Sequence, residues 1–301
     1  MIIFDMIRGF CMALADSVPG VSGGTIAFLL GFYDQFIGSL DALISGTKEE
    51  RKEAVVFLIK LGIGWITGFI LSVLILTKLI DAHIYAISSV FLGLIICAIP
   101  YIIKEEKETL KEALNKKYYY FIFILIGIAV VSAITYFNPA SAGNGIDVSS
   151  LTPGLAIYVF LVAMVAISAM VLPGISGSTL LLVFGLYMAA INAIKEILHF
   201  NFKYLPFCIV FGLGVIVGIL SVIKLIKMCL KKYRSQTIYT IIGLMLGSVY
   251  AIIMGPTTLE NAQPAMTIET FSIIFFVIGG VIIVGLEQLK AVMEKKADEM
   301  N

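Results

Sequence analysis

Two short stretches of this sequence combine the residue types with which proteins bind anions. Residues 19–25 read PGVSGGT, and residues 173–179 read PGISGST. Each stretch offers backbone N–H groups outside regular helix bonding, side-chain hydroxyls and very little side-chain bulk. Because glycine-rich turns and helix N-termini attract anions, and phosphate in particular, both stretches are candidate anion sites.

We predict that the two stretches form one site. A helix is expected to begin near Thr25, with the positive end of its dipole at the bend, and the second stretch repeats this arrangement. The alternative is that the small residues serve only kinks and close packing between membrane helices, but duplication of the whole pattern favours an anion site. The predicted phosphate-binding residues are Pro19, Gly20, Ser22, Gly23, Gly24, Thr25, Pro173, Gly174, Ser176, Gly177, Ser178 and Thr179.

Four charged residues within or near apolar segments are further candidates. Ionisable groups inside a membrane are costly and often mark functional sites. Arg8 and Lys60 are candidates to attract the phosphate, whereas Asp16 and Glu287 are candidates to carry a proton. Their alternative role is interfacial, with the charged end reaching toward water. The second stretch has Met170 where the first has the Asp16 carboxylate, so any acid chemistry is asymmetric.

Composition places these stretches inside a lipid bilayer. Hydrophobic residues make up 60% of the chain and charged residues only 14%, against about 25% charged in ordinary soluble domains. Between Lys117 and Lys195 the only formal charge is Asp147. Such runs exceed the ~20 residues that span a bilayer as a helix, and open strands in lipid would leave backbone groups unpaired. We therefore predict an all-α polytopic membrane protein.

Ten apolar segments are predicted as helices. The stretch 104–117 is predicted as a solvated helical extension, and the loop 138–152, rich in turn-forming residues, marks the midpoint of the chain. The segments cover about residues 1–17, 22–44, 54–77, 85–103, 118–137, 153–172, 176–194, 204–226, 236–254 and 270–289.

The second half of the chain repeats the first. Residues 19–33 and 173–187 are identical at seven of fifteen positions, where chance gives roughly one. The glycines at 62, 64 and 68 are echoed at 212, 214 and 218. We predict a single membrane domain over 1–301, with repeat 1 at 1–137, repeat 2 at 153–290 and an external connecting loop at 138–152.

The basic residues predict how the repeats sit in the membrane. If residues 1–44 enter and leave by one face as a hairpin and three crossings follow, the second repeat is inverted. On that arrangement 16 of 21 basic residues share one face and three lie on the other. This bias assigns the rich face, with both termini, to the cytoplasm. We predict re-entrant hairpins, because irregular backbone is tolerated where it lines a cavity; two full spans give the same sidedness.

The motifs resemble a known family. The stretch ADSVPGVSGGTIAFLLGFY, with the weaker echo PGISGST, is similar to a bacterial and archaeal membrane family first described as domain of unknown function 368. The resemblance covers essentially the whole chain. It implies a transporter in the cytoplasmic membrane that returns undecaprenyl phosphate from the outer to the inner leaflet, for reuse in peptidoglycan and related cell-envelope glycans. Inverted repeats with broken helices and a central site fit such a transporter.

Inward movement of a lipid phosphate needs a driving force. Moving one negative charge against a negative-inside potential costs about 2.3 kcal/mol per 100 mV. A co-transported proton or steep consumption of the lipid inside would offset this cost. We expect proton coupling through Asp16 or Glu287.

Two other functions compete with the lipid transporter. A transporter or channel for a small soluble anion would use the same helix ends. A serine protease reading follows from G-x-S-G at both bends, but a nucleophilic serine needs a base, and His83 and His199 fall at external segment ends. We therefore expect no catalytic residue, metal, cofactor or nucleic-acid partner. The four cysteines, predicted to be packing residues, are Cys11, Cys97, Cys208 and Cys229.

Overall fold

The predicted helical membrane class is confirmed by the computed structural model. It describes residues 2–16, 22–72, 77–107, 110, 120–137, 146, 148, 150–258 and 262–298. Among these residues, five helices are long and apolar enough to cross a membrane, and one bent pair passes the same criteria together. The chain is therefore a multi-pass membrane protein.

Twelve α-helices fall into two sets of six within the described residues. Short 3-10 turns at Phe202–Tyr204 and Gly255–Thr258 flank the two helices α10 and α11. The helices are α1 (Ile2–Asp16), α2 (Gly23–Leu29), α3 (Tyr33–Ser45), α4 (Lys48–Leu71), α5 (Thr77–Glu105), α6 (Phe121–Tyr136), α7 (Pro153–Val171), α8 (Gly177–Val183), α9 (Tyr187–Leu198), α10 (Leu205–Lys232), α11 (Arg234–Met254) and α12 (Ile273–Asp298).

The segments predicted as single helices over 22–44 and 176–194 are each two helices, so these predictions were wrong. The axes of α2 and α3 differ by 119°. Gly31 and Gly185 both have φ of 67°, a left-handed conformation that ends a helix and favours glycine. The next residue in each repeat donates its N–H back five residues, from Phe32 to the Ala27 carbonyl at 3.0 Å and from Leu186 to the Leu181 carbonyl at 2.8 Å.

Glycines allow the same close helix pairing in both halves. Helix α1 packs along α4, and α7 packs along α10. A Cβ atom at Gly64 would lie 1.8 Å from the Met6 carbonyl oxygen, and one at Gly214 would lie 2.5 Å from the Phe160 carbonyl oxygen. These pairs occupy corresponding positions in the two repeats, so the helix contact is duplicated along with the sequence.

The remaining long helices pair across the two halves. Helix α5 packs along α12, and α6 packs along α11. Both crossings are close: a Cβ atom at Gly93 would lie 2.0 Å from the Phe276 carbonyl oxygen, and one at Gly243 would lie 2.3 Å from the Ile124 carbonyl oxygen. Each of these two pairs therefore joins one helix of the first half to one helix of the second half.

Several helix ends differ from the predicted boundaries. Helix α5 has a break at His83, whose backbone is non-helical. Helices α10 and α12 continue beyond their apolar segments into basic turns, to Lys232 and Asp298, because lysine and other long polar residues favour helix. Most of the predicted extension at 104–117 and of the loop at 138–152 lies outside the described residues.

Candidate substrate site at the junction of the two bends

At the first bend, side chains cap the N-terminus of α2. Ser22 is the N-cap of α2, and its Oγ accepts a hydrogen bond from the Thr25 backbone N–H at 3.2 Å. The Gly23 N–H donates to Oδ1 of Asp16 at 2.6 Å. Both interactions satisfy N–H groups that a helix leaves without intrahelical partners. Pro19 and Gly20, predicted for the same site, lie outside the described residues.

Hydrogen bonds join the first bend to the second. The Gly174 N–H donates to Oγ1 of Thr25 at 2.8 Å, and the Ser22 hydroxyl lies 3.3 Å from the Leu172 carbonyl oxygen, to which it donates. The Tyr33 hydroxyl donates to the carbonyl of Val171 at 3.1 Å. Because Ser22 and Thr25 are completely buried, these bonds form inside the protein, where a lost partner is costly.

Close backbone approach explains two of the glycines. A Cβ atom at Gly24 would lie 2.7 Å from the Val171 carbonyl oxygen. Gly174 has φ of 88°, and its Cβ would lie 2.5 Å from the carbonyl carbon of Leu244 on α11. A larger residue at Gly24 would therefore push the first bend from the end of α7, and one at Gly174 would push the second bend from α11. The predicted glycines therefore serve the junction directly.

Asp16 connects the first bend to α4. Its Oδ2 accepts a hydrogen bond from the Trp65 indole N–H at 3.1 Å, while its Oδ1 accepts from Gly23. In the second repeat Met170 takes the place of Asp16, and a Cβ at Gly177 would lie 3.0 Å from the Met170 Cβ. A polar cap in the first repeat is thus replaced by an apolar contact in the second.

A cavity of about 240 Å³ opens beside the second bend. Its polar lining comes from Asp16, Ser176 and Gly177, which sequence reasoning had selected. The rest of its wall is apolar and comes from α7, α8 and α10. Ser176 is buried, and Thr179 is partly buried; the side chain of Ser178 lies outside the described ones. The structure therefore brings one predicted proton carrier together with two predicted binding residues.

The other charged candidates lie elsewhere. The Arg8 guanidinium donates to Oδ1 of Asp5 at 3.2 Å and stacks over the rings of Phe4 and Phe32, at 4.1 and 4.7 Å from the ring centroids. Lys60 is half-buried on α4, and neither it nor Arg8 lines the cavity. Their role toward the phosphate stays a prediction, and the side chain of Glu287 lies outside those described.

Sequence reasoning missed two side chains of the junction. Trp65, the only tryptophan of the chain, bonds to Asp16, and Tyr33 bonds to the second bend. Tyr33 is one of the seven identical positions of the repeated stretch, which was a signal for its role. Among the described residues, no group of three metal-binding side chains occurs.

Comparison with known proteins identifies the family. The sequence profile of the undecaprenyl phosphate translocase-like family matches residues 12–271. A polyprenyl-phosphate transporter of Staphylococcus aureus is 35% identical over 288 residues, which cover 95% of this chain and 96% of that protein. A polyprenyl-phosphate transporter of Vibrio cholerae is 31% identical over 253 residues, covering 81% of this chain and 75% of that protein.

The solved structures add no relative, since none matches this chain. The profile match includes both bends and every residue that lines the cavity, and the two relatives extend over most of the chain. This membrane protein belongs to the undecaprenyl phosphate translocase-like family.

Proposed function

We propose that this protein carries undecaprenyl phosphate from the outer to the inner leaflet of the cytoplasmic membrane, where it is reused for cell-envelope glycans. The observation that carries the proposal is the 35% identity to a polyprenyl-phosphate transporter over 95% of this chain. The geometry supports it, because a buried junction of two helix ends opens onto an apolar cavity. An amphiphile with an anionic head and an apolar tail matches both surfaces.

In this proposal the phosphate of the lipid binds to the second bend before it contacts the first. At the first bend, the N–H groups of Gly23 and Thr25 are bonded to Asp16 and Ser22. At the second bend, Ser176 and Gly177 line the cavity. The hydroxyls of Ser22 and Thr25 reach the phosphate only after the bonds between the bends have opened. The hydroxyls of Ser22 and Thr25 would thus exchange their bonds to the second bend for bonds to the phosphate. This exchange would couple phosphate binding to movement of the repeats.

The repeats are inverted in the proposed mechanism, with both termini in the cytoplasm. Support comes from the matching helix pairs α1 with α4 and α7 with α10, and from the one-sided distribution of basic residues. In transporters with such repeats, rocking of one repeat against the other exposes a central site to alternate sides. The hairpins α1–α3 and α7–α9 are re-entrant in this proposal.

Asp16 is the proposed proton carrier. Its carboxyl group lines the same cavity as Ser176 and Gly177. A phosphate and a carboxylate that share a low-dielectric cavity repel each other strongly. Binding of one proton by Asp16 would remove this repulsion, so the proton and the lipid phosphate would enter together.

Purified protein in liposomes tests the function. Undecaprenyl phosphate is placed in the outer leaflet, and a labelled antibiotic that binds the lipid phosphate measures how much remains accessible. We expect the wild type to deplete the outer leaflet and Ser176→Ala to be at least about tenfold slower, because a binding hydroxyl is lost. Ser168→Ala is the matched control, since Ser168 lies on α7, does not line the cavity and donates to the carbonyls of Met164 and, at 3.4 Å, Gly218.

Two further arms separate the alternatives. Uptake of inorganic phosphate or small carboxylates without lipid movement would replace the lipid proposal by a soluble-anion transporter. Dependence on an imposed pH gradient tests coupling, and we expect Asp16→Asn to abolish that dependence. Lipid movement by the wild type that is insensitive to the gradient would remove the proton from the mechanism while leaving the substrate unchanged.

A further inference from the structure

Two side chains that line the cavity beside the second bend are smaller than the residues at the corresponding positions of the first repeat. Val215 on α10 corresponds to Trp65 on α4, because Gly214 and Gly64 precede them and make the same helix contact. In the first repeat the larger Trp65 indole stacks on Phe69 and donates to Asp16. In the second repeat Val215 lines an open cavity instead.

The opposite wall shows the same divergence. Ala166 lines the cavity from α7, and the corresponding residue of α1 is Met12, a buried member of the main core. Ala163, Ala166, Ile167 and Met170 follow helical spacing and present one face of α7 to the cavity. Val215 and Ala166, one on each wall of this cavity of about 240 Å³, are thus both smaller than Trp65 and Met12 of the first repeat.

We propose that this cavity binds the isoprene units next to the phosphate of the polyprenyl substrate, with the phosphate held at Ser176 and Gly177. This inference rests on the proposed function and adds a site for the tail. The wall is apolar except where the bends meet, so a free phosphate or a sugar is not the group that fills it. A ligand with both an anionic head and an apolar chain satisfies both ends.

The size of the cavity sets how much of the chain enters. A dry protein cavity of about 150 Å³ holds one benzene molecule, with six carbon atoms. By proportion, the 240 Å³ found here holds about ten carbon atoms, or about two isoprene units. The rest of the tail stays in the bilayer, since the outward neighbours Val165 on α7 and Ile216 on α10 are exposed apolar residues at 44% and 54%.

The proposal is tested by filling the cavity with tryptophan, the residue found at the corresponding position of the first repeat. Val215→Trp copies Trp65 of the first repeat, and Ile216→Trp places the same ring one position away, on the exposed face of α10. Ala166→Leu fills the cavity from α7 and serves as a second variant if Val215→Trp does not fold. Each variant is compared at equal abundance and with an unchanged elution profile in detergent.

Binding is measured with geranyl phosphate, which has two isoprene units, through the increase it causes in the melting temperature. We expect an increase for the wild type and Ile216→Trp, and about tenfold weaker binding for Val215→Trp and Ala166→Leu, because the tail is excluded. Equal binding by all four proteins would overturn the tail site. Equal competition by phosphatidylglycerol, a phospholipid with straight chains, would overturn it as well.

Transport of undecaprenyl phosphate by the same four proteins separates this inference from the function. Transport by the wild type and by both filled variants removes the tail site and leaves the function standing. Geranyl phosphate binding that Val215→Trp weakens, without transport by the wild type, supports the tail site and contradicts the function. Transport lost only in the filled variants supports both.

Discussion

The two bends carry the same motif but differ in what surrounds them. At the first bend, Ser22 and Thr25 are completely buried, and Asp16 bonds to both Gly23 and Trp65. At the second bend, Ser176 and Gly177 line a cavity. The same sequence motif therefore stands in two different surroundings, one with its hydroxyls completely buried and one beside a cavity.

Two backbone features are common to both repeats, whereas the side chains around the bends differ. Gly31 and Gly185 have the same φ, and Gly64 and Gly214 make the same helix contact. The side chains at two aligned positions differ in size and polarity: Asp16 against Met170, and Trp65 against Val215. The glycines are thus common to the two bends, whereas these side chains make the surroundings of the bends different.

The largest effect is expected from breaking the shared glycine contact. Gly64→Ala should lower the free energy of unfolding by more than about 4 kcal/mol, because the new Cβ would overlap the Met6 carbonyl and separate α1 from α4. Gly62→Ala, with no atom within 4 Å of its Cβ, should change it by less than about 1 kcal/mol. Thermal unfolding in detergent measures both, and equal melting temperatures would contradict the contact.

Trp65→Val would make the first repeat resemble the second. We expect a loss of about 3 kcal/mol, because a large ring that stacks on Phe69 at 5.1 Å is removed and its space is not refilled. Trp65→Phe retains much of the packing but loses the hydrogen bond to Asp16, so its loss should be about 1 kcal/mol. Circular dichroism follows unfolding in both variants, and a smaller loss for Trp65→Val than for Trp65→Phe would refute the packing role.

Thr25→Val tests the bond between the bends. The variant keeps the shape of the side chain but leaves the buried Gly174 N–H without its acceptor, at a cost of about 2 kcal/mol. Thr179→Val is the matched change at the corresponding, partly buried position of the second repeat, and its cost should be smaller. The difference in melting temperature between the two variants measures the asymmetry, and no difference would mean that the bends are equivalent.

The sequence predicted the helical membrane class, but it did not predict every helix break. Apolar run lengths identified the membrane class, since only helices satisfy the backbone in lipid. The repeated motif located both bends. It also contains Gly31 and Gly185, where a second helix break follows each bend. The apolar pattern did not predict these breaks, because the residues on both sides of each left-handed glycine are equally apolar.

The side-chain contacts were beyond the sequence because they join residues far apart in the chain. Trp65 bonds to Asp16 from 49 positions away, and Thr25 bonds to Gly174 from 149 positions away. Neither spacing has a period that a pattern could reveal. The cavity was likewise invisible, since it depends on what Val215 and Ala166 leave unfilled across two helices.

The smallest effect is expected where ion pairs join the repeats at the ends of α3, α5 and α11. Arg234 on α11 pairs with Asp34 of α3 at 2.9 Å and with Glu106 at the end of α5. Asp34 is half-exposed, so Asp34→Asn should cost about 0.5 kcal/mol and only at low salt, because solvent and counterions screen the pair. The Glu106 side chain is only 12% exposed, so Glu106→Gln should cost more and depend less on salt. Melting temperatures of both variants at low and high ionic strength measure this order, and a salt-independent loss in Asp34→Asn would show that its pair is more than a screened surface contact.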